Sequence, residues 1–563
     1  LLVPEFDENA LAVLRERYLW RYADGKELET PKEMLHRVAR AVSIAEADAD
    51  REVWTEKFYA VMALLDFLPN SPTLMNAGRL NGQLSACYVL GIEDSMESIF
   101  TALKHQALIH KSGGGTGFNF SNLRPEGARV TSTNGTASGP VSFMGMFNHV
   151  TDVVQQGGMR RGANMGILNV DHPDVLKFVH AKTKDGTLSN FNISVGVYDS
   201  FMESLDSDPN ASALFDAIVD AAWSTGDPGL VFLDGINNDN PTPWLGRLTA
   251  TNPCGETPLY PNEACNLGSI NLAHMVALGH EGRLVVDYDR IRRTVETAVR
   301  FLDNVITVNC YPLPEIRTAV LRTRKIGLGV MGWAEMLFQL RIAYDSFEAV
   351  TLAETVMQFI SVIAGATSSR LALERGAFKE GASYRNATRT CIAPTGTLSL
   401  LAGCSSGIEP LFALRHTRVA FASEDGHQQT LEYYNRYYQN ALADPSWTKE
   451  DIKRVFVTSH EIAPKWHVLH QAAFQRYTDL AVSKTINLPH SATRDDVKEA
   501  FLLAWVEGCK GVTVYRDGCK TKQVLYASEP EKSGEACPVC GAAVKHVDGC
   551  TACTKCAWGA CAL

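Results

Sequence analysis

Several common signatures are missing from this chain of 563 residues. No run of eighteen apolar residues occurs, so no membrane span is expected. The opening Leu1-Leu2-Val3-Pro4-Glu5-Phe6 has neither an initiator Met nor the basic-then-apolar pattern of a signal peptide, which leaves the native start open. There is no Walker loop, no dinucleotide fingerprint and no internal repeat. Positive charge is not in excess: the formal net charge of −10 argues against a general nucleic-acid-binding surface, although local basic pockets for phosphorylated small molecules remain open. What is present is ordinary globular composition, 45% hydrophobic and 21% charged, at a length that exceeds one hydrophobic core. The 14 cysteines are unevenly spread, with six in the last 27 residues. Without a secretory signal, that skew favours a reducing, cytoplasmic compartment in which thiols serve redox chemistry or metal binding.

Periodicity divides the chain. Residues 1–69 read as a helical cap: helical spacing over 8–22, a capping box at Thr30-Pro31-Lys32-Glu33, and a second helical pattern over 51–67. From 70 to 526, helical patterns (96–110, 141–156, 288–308, 347–375, 465–483, 494–508) alternate with short apolar strand candidates (87–92, 191–197, 326–330, 485–488, 512–515). This alternation predicts an α/β domain on mostly parallel strands. Residues 527–536 are polar, with Pro and Gly, and read as a flexible linker before a Cys-rich tail at 537–563.

The chain is best understood from Asn252-Pro253-Cys254-Gly255-Glu256, followed closely by Cys265. Alternation along an extended backbone puts an amide, a thiol and a carboxylate on one side, while Pro253 and Gly255 make the segment a loop and not a central strand. Cys265 is near enough for a second thiol to fold back. Two glycine-rich stretches, Ser112 to Gly117 and Gln156 to Asn164, can let backbone amides approach a ligand, and Arg160 and Arg161 in the second offer forked donors to an anion. Pro394-Thr395-Gly396-Thr397-Leu398-Ser399 supplies hydroxyls and open amides as a phosphate cradle.

Taken in order, these stretches resemble the catalytic chain of ribonucleotide reductases, most closely the adenosylcobalamin-dependent (class II) enzymes. The motifs that carry the resemblance are Asn70-Ser71-Pro72-Thr73-Leu74-Met75-Asn76, Leu84-Ser85-Ala86-Cys87, the two glycine-rich loops, Asn252 to Glu256, Pro394 to Thr397, Gly407-Ile408-Glu409-Pro410 and Gly511 to Arg516. The resemblance implies a ten-stranded α/β barrel, two five-stranded parallel halves antiparallel to each other, with a central finger loop carrying Cys254. It further implies that Cys254 becomes a thiyl radical taking the 3′ hydrogen of a ribonucleotide, that Glu256 is the general base, that Asn252 orients the sugar, and that the Cys87/Cys265 dithiol is the reductant. Ser71, Ser85 and Pro394 to Ser399, including Thr395, Gly396, Thr397 and Leu398, are implied to hold the ribose and its di- or triphosphate. Asp94 and Arg124, with Arg160 and Arg161, match positions that respond to a deoxynucleotide effector at a homodimer interface. The short N-terminal region implies specificity control without an overall activity switch.

Class I chains of the family carry an adjacent tyrosine pair where this chain has only Tyr515, which favours a radical made in place by adenosylcobalamin over delivery from a metal-bearing subunit. Class III chains lack a glutamate at the position of Glu256. The tail carries Cys537, Cys540, Cys550, Cys553, Cys556 and Cys561. A Cys-x-x-Cys-Gly knuckle before a second Cys-x-x-Cys points to zinc, held by Cys537 and Cys540 with Cys553 and Cys556 or with Cys550 and Cys553. The remaining thiols, among Cys550, Cys556 and Cys561, are candidates for a swinging dithiol that re-reduces the active-site pair, itself served by a thioredoxin-like or glutaredoxin-like protein. The alternatives are a class I large subunit and a non-catalytic nucleotide-sensing regulator. The regulator gives no reason for Asn252, Cys254 and Glu256 to share a face.

Overall fold

The computed structural model describes residues 2–22, 24–131, 134–154, 162–184, 186–280, 282–422, 428–519, 525–527, 544–547, 550–553 and 559–561, with side chains up to 414 and from 435 to 519. Two compact units are present, residues 1–414 with 435–523, and 415–434 with 524–563. The first begins with three helices, α1 (Glu8–Arg17), α2 (Pro31–Ser43) and α3 (Arg51–Ala63). Helix α2 starts where the sequence says it should. The Thr30 side chain accepts from the Glu33 amide and the Glu33 carboxylate accepts from the Thr30 amide, with Pro31 in the first turn. The first and third helices are shorter than their apolar patterns, because the pattern runs on into connecting loops and, at Phe67, into a strand.

Ten strands form one mixed sheet. In chain order they are β1 (Phe67–Pro69), β2 (Cys87–Val89), β3 (Gly115–Asn119), β4 (Asn164–Asn169), β5 (Phe191–Val197), β6 (Gly229–Phe232), β7 (Ala264–Asn271), β8 (Ile326–Met331), β9 (Thr485–Leu488) and β10 (Gly511–Arg516). β2 to β6 are parallel in succession. β7 and β8 are parallel, as are β9 and β10, and bridges Leu328↔Thr390 and Ile392↔Val482 continue that direction. The two sets meet antiparallel twice, β2 against β7 and β6 against β10. Coverage on both faces is plainest in β6 and β8, which are apolar and buried throughout, whereas β9 and β10 still alternate in burial. All eight residues of β7 are buried.

Long helices pack outside this sheet: α4 (Tyr288–Val308), α5 (Phe347–Arg375) and α6 (Pro464–Gln475). Helix α5 is long and apolar enough to cross a membrane by length and composition, although polar residues interrupt it before any eighteen-residue apolar run is reached. Here Ala353, Val356, Met357, Ile360 and Ala364 are buried and the helix packs against α4 and α6. One buried ion cluster ties the N-terminal helices to this layer. Glu46 accepts hydrogen bonds from Arg300 and Asn304 of α4 and from Arg375 at the end of α5.

The second unit contains strands Arg415–Ala422, Gln428–Tyr434 and Leu525–Ala527, paired antiparallel, and the tail strands Val544–Val547, Cys550–Cys553 and Gly559–Cys561. Cys550 stands opposite Cys561 in that ladder. Of the zinc-ligand and tail-redox candidates, Cys537, Cys540 and Cys556 lie outside the described residues, and for Cys550, Cys553 and Cys561 only the backbone is described.

Candidate active site

Residues Ala250–Thr251 and Pro258–Leu259 pair as a short antiparallel hairpin, and the Asn252 to Glu256 motif is its tip. The tip is a turn: the Gly255 amide bonds the Asn252 carbonyl at 3.1 Å and Gly255 has φ +83. Strand alternation is therefore not what gathers the side chains, as the sequence reading had it. The turn instead sends Asn252 and Glu256 inward, 1% and 2% exposed, and leaves Cys254 exposed. The hairpin lies directly on β3. A Cβ at Gly117 would sit 1.7 Å from the Thr251 carbonyl oxygen, and one at Gly115 would sit 2.9 Å from Pro253 Cγ. The first glycine-rich stretch thus lets this loop pass, and its Gly114 and Gly115 also line the smaller of the two cavities beside Cys254, where backbone can approach a ligand.

The predicted dithiol is assembled. Cys87 and Cys265 are directly opposite partners across β2 and β7. Asn252 Nδ2 donates to Cys87 Sγ at 3.1 Å, and Cys87 Sγ is 3.8 Å from Glu256 Oε1. Asn252 Oδ1 in turn accepts from the Thr257 amide at 2.9 Å, which fixes the amide flip. Burial pushes the Cys87 thiol far above its ordinary range, and the Glu256 charge adds to this. Cys265 is also raised by burial, but Lys325 pulls the other way. The two thiols are therefore unequal, since only Cys265 has a cation working in favour of its thiolate. Lys325 is itself held by Glu263 at 2.7 Å, both side chains almost fully enclosed, and neither residue stood out in the sequence. Nothing local marks them, because they stand just ahead of two different strands, β7 and β8, and meet only when those strands pair.

Cys254 borders two cavities. One of about 250 Å³ is lined by Asn252, Glu256, Cys87, Ser71 and residues Ala393 to Leu398. The phosphate-cradle residues Pro394, Thr395, Gly396, Thr397 and Leu398 are therefore all on its wall. Thr395 is a non-glycine residue at φ +50, held by its Oγ1 accepting from the Gly407 amide at 2.8 Å, a strained position of the kind found at ligand clamps. Ser85 is not on this wall: it is buried, and Asn309 Nδ2 donates to its hydroxyl at 3.0 Å. The other cavity, about 360 Å³, shares only Pro253, Cys254 and Pro394 with the first, and is walled by Ser194, Gly226, Gly229, Gly511 and Tyr515 among others. Gly226, Gly229 and Gly511 put no side chain on this wall, and Gly229 cannot carry one, because a Cβ there would meet Val512 O of the adjoining β10 at 2.8 Å and Thr513 Oγ1 at 3.1 Å. Such a wall fits the reactive end of a large, flat cofactor, with Cys254 within its reach.

Asp94 and Arg124 form an ion pair at 2.7 Å, each more than a third exposed, away from both cavities. Arg160 and Arg161 lie outside the described residues. Among the described residues no group of His, Cys, Asp and Glu is arranged to hold a metal ion.

Residues 4–82 match the family model "Ribonucleotide reductase, all-alpha domain", and residues 85–212, 206–382 and 380–515 match "Ribonucleotide reductase, barrel domain". The vitamin B12-dependent ribonucleoside-diphosphate reductase of Thermoplasma acidophilum is 46% identical, with 93% of this chain and 80% of that one covered. The protein of the same name from Mycobacterium tuberculosis H37Rv is 46% identical over 93% of this chain and 79% of its own. The ribonucleoside-diphosphate reductase subunit alpha of Chlamydia pneumoniae is 26% identical over 92% of this chain and 60% of its own. The alpha subunit of the class Id ribonucleotide reductase of Actinobacillus ureae has a similar fold, with a TM-score of 0.76 at 24% identity over 91% of this chain and 97% of that one.

Proposed function

This chain belongs to the ribonucleotide reductase family, and from that premise we propose that Cys254, Glu256, Asn252, Cys87 and Cys265 together carry the reduction. The chain is a vitamin B12-dependent ribonucleoside-diphosphate reductase, like the Thermoplasma and Mycobacterium proteins it matches at 46% identity. The strand pairing supports a closed ring of two five-stranded parallel halves, if residues 390–392 are counted as a strand and β1 as an outer addition.

The observation that carries the residue assignment is the position of Cys254, at the one place where the two cavities share a wall and beside the buried Asn252, Glu256 and Cys87. The chemistry that adenosylcobalamin supplies when bound is homolysis of its cobalt–carbon bond, a source of an unpaired electron. The walls formed by Ser194, Gly226, Gly229 and Gly511 would hold it. The remaining work falls to the chain. The Cys254 sulfur, once a thiyl radical, takes the 3′ hydrogen of the ribose and returns it at the end of the cycle. Glu256 accepts the 3′-hydroxyl proton, and Asn252 Nδ2 holds Cys87 and the sugar in register. The 2′ oxygen leaves as water, and Cys87 and Cys265 give up two electrons and two protons in becoming a disulfide. Their directly opposed strand positions suit that bond.

Ser71 and the loop 394–398 hold the phosphates. Asp94 and Arg124 open their mutual ion pair to grip a deoxynucleotide effector at a homodimer interface, with Arg160 and Arg161 relaying its identity. A thioredoxin-like or glutaredoxin-like protein re-reduces the dithiol, through tail thiols among Cys550, Cys556 and Cys561. The test is anaerobic reduction of a labelled ribonucleoside diphosphate with dithiothreitol, with and without adenosylcobalamin. Turnover by the wild type with the cofactor alone, abolished in Cys254→Ala, supports the assignment. Turnover that survives Cys254→Ala overturns it.

A further inference from the structure

We propose that Arg17, at the end of the N-terminal helix α1, binds the outer phosphate of the substrate, so that the helical layer and not only the strand-borne loops recognises a diphosphate. The proposal rests on the reading of the 250 Å³ cavity as the substrate site. Among the described residues lining that cavity, Arg17 and Glu256 are the only charged ones. They are sorted along it. Glu256 is grouped with Cys254, Asn252 and Cys87, where the sugar must react, while Arg17 comes from the helix that packs against Leu398–Ala402, the short helix the phosphate loop runs into. A ligand that fits this sorting has an uncharged reacting end and an anionic tail. Glu256 would repel the reverse orientation.

Arg17 is also held in place. Its neighbour Tyr18 is buried, and the Tyr18 hydroxyl is 2.7 Å from Ser71 Oγ, a residue on the same cavity wall. Trp20 Nε1 donates to the Met75 carbonyl at 2.9 Å, pinning the chain just beyond the helix. Because α1 ends at Arg17, the helix presents carbonyls there, and the guanidinium has to supply the positive charge. Thr395, Thr397 and Ser71 offer hydroxyls that serve a phosphate of any chain length, whereas a forked cation adds a term that depends on the outer phosphate being present.

The test is calorimetric binding of CDP and CMP to the full chain and its Arg17→Ala, Arg17→Gln and Arg17→Lys variants, with CDP reduction kinetics in the presence of adenosylcobalamin. Loss of a charge-assisted phosphate contact predicts CDP binding weakened by about 10- to 100-fold in Arg17→Ala and Arg17→Gln, with CMP weakened by less than about threefold. Arg17→Lys recovers part of the CDP loss, and the kinetic defect appears in KM more than in kcat. Equal weakening of CDP and CMP, or unchanged CDP binding in both neutral variants, overturns the proposal. A wild type that does not bind or reduce CDP removes the underlying reading of the cavity. A wild type that does, beside an indistinguishable Arg17→Ala, refutes the role of Arg17 alone.

Discussion

Alanine at Gly117 places a methyl carbon 1.7 Å from the Thr251 carbonyl oxygen, 2.8 Å from its carbon and 3.4 Å from Asn252 Cα. An ordinary carbon–oxygen contact needs roughly 3.3 Å, so the hairpin carrying Cys254 must retreat from β3 by about 1.5 Å. Its other anchors oppose the move, because Asn252 is tied to Cys87 and Thr257, and the Ala481 amide bonds the Glu256 carbonyl. Overpacking of this kind costs about 1–3 kcal/mol of stability. The effect on chemistry is larger, since a displacement of about 1 Å between reacting groups costs on the order of 100-fold in rate. Gly145→Ala is the control: that glycine lies in the helix Pro140–Val153, a Cβ there meets nothing within 4 Å, and a modest gain in stability is expected. The assay pairs anaerobic turnover at saturating cofactor with thermal unfolding. Turnover by Gly117→Ala within about threefold of wild type would refute the claim that the loop's seat on β3 sets the reacting geometry.

Other consequences are equally open to measurement. Burial works to raise the Glu46 carboxyl, but hydrogen bonds from Arg300, Asn304 and Arg375 outweigh it and bring the group to about 2. With an unfolded value near 4.5, this contributes roughly 3 kcal/mol at neutral pH, lost as pH falls from about 4.5 through 2. Urea unfolding should show Glu46→Gln weakened at pH 7 and converging on wild type in acid; a gap independent of pH would contradict this. Burial lowers His470 to about 3, so the unfolded chain binds the extra proton and stability should fall as pH drops from about 6.5 towards 3, an earlier decline visible in the same titration. Lys325→Met strands the enclosed Glu263 carboxylate and should cost about 3–5 kcal/mol, with Glu263→Gln in the same chain recovering part of it. Tyr515→Phe should turn over within about threefold of wild type, because the radical is made in place; a loss of about 1000-fold would indicate a tyrosine relay.

The parts of this molecule legible in sequence are those fixed locally. The capping box at Thr30 and Glu33 and the full lengths of Tyr288–Val308 and Phe347–Arg375 follow from short-range pattern, and the extended run Phe191–Val197 is legible because apolar residues dominate it, with Asn192 its one exposed position. The Asn252 to Glu256 cluster was legible as chemistry, and as a loop through Pro253 and Gly255. How its side chains are gathered was not, because the turn is set by pairing of the flanking segments and by the bare glycines of β3. Ser85 illustrates the same limit: its hydroxyl accepts from Asn309, 224 positions away, a partner that no local pattern announces. Arg17 gave no signal at all, since an arginine at a helix end is ordinary until the fold brings it to the cavity that holds Thr395 and Thr397. The grouping of 415–434 with 524–563 depends on pairing between strands far apart in sequence, which composition does not encode.

The most direct test of the account follows the electrons. Pre-reduced enzyme with adenosylcobalamin and a ribonucleoside diphosphate, but no external reductant, is quenched with a thiol-blocking reagent at intervals, and its peptides are mapped by mass spectrometry. The account predicts a peptide joining Cys87 to Cys265 that grows in step with the first deoxynucleotide formed, and neither peptide nor product in Cys254→Ala. Product accumulating while Cys87 and Cys265 remain blocked as separate thiols would contradict it.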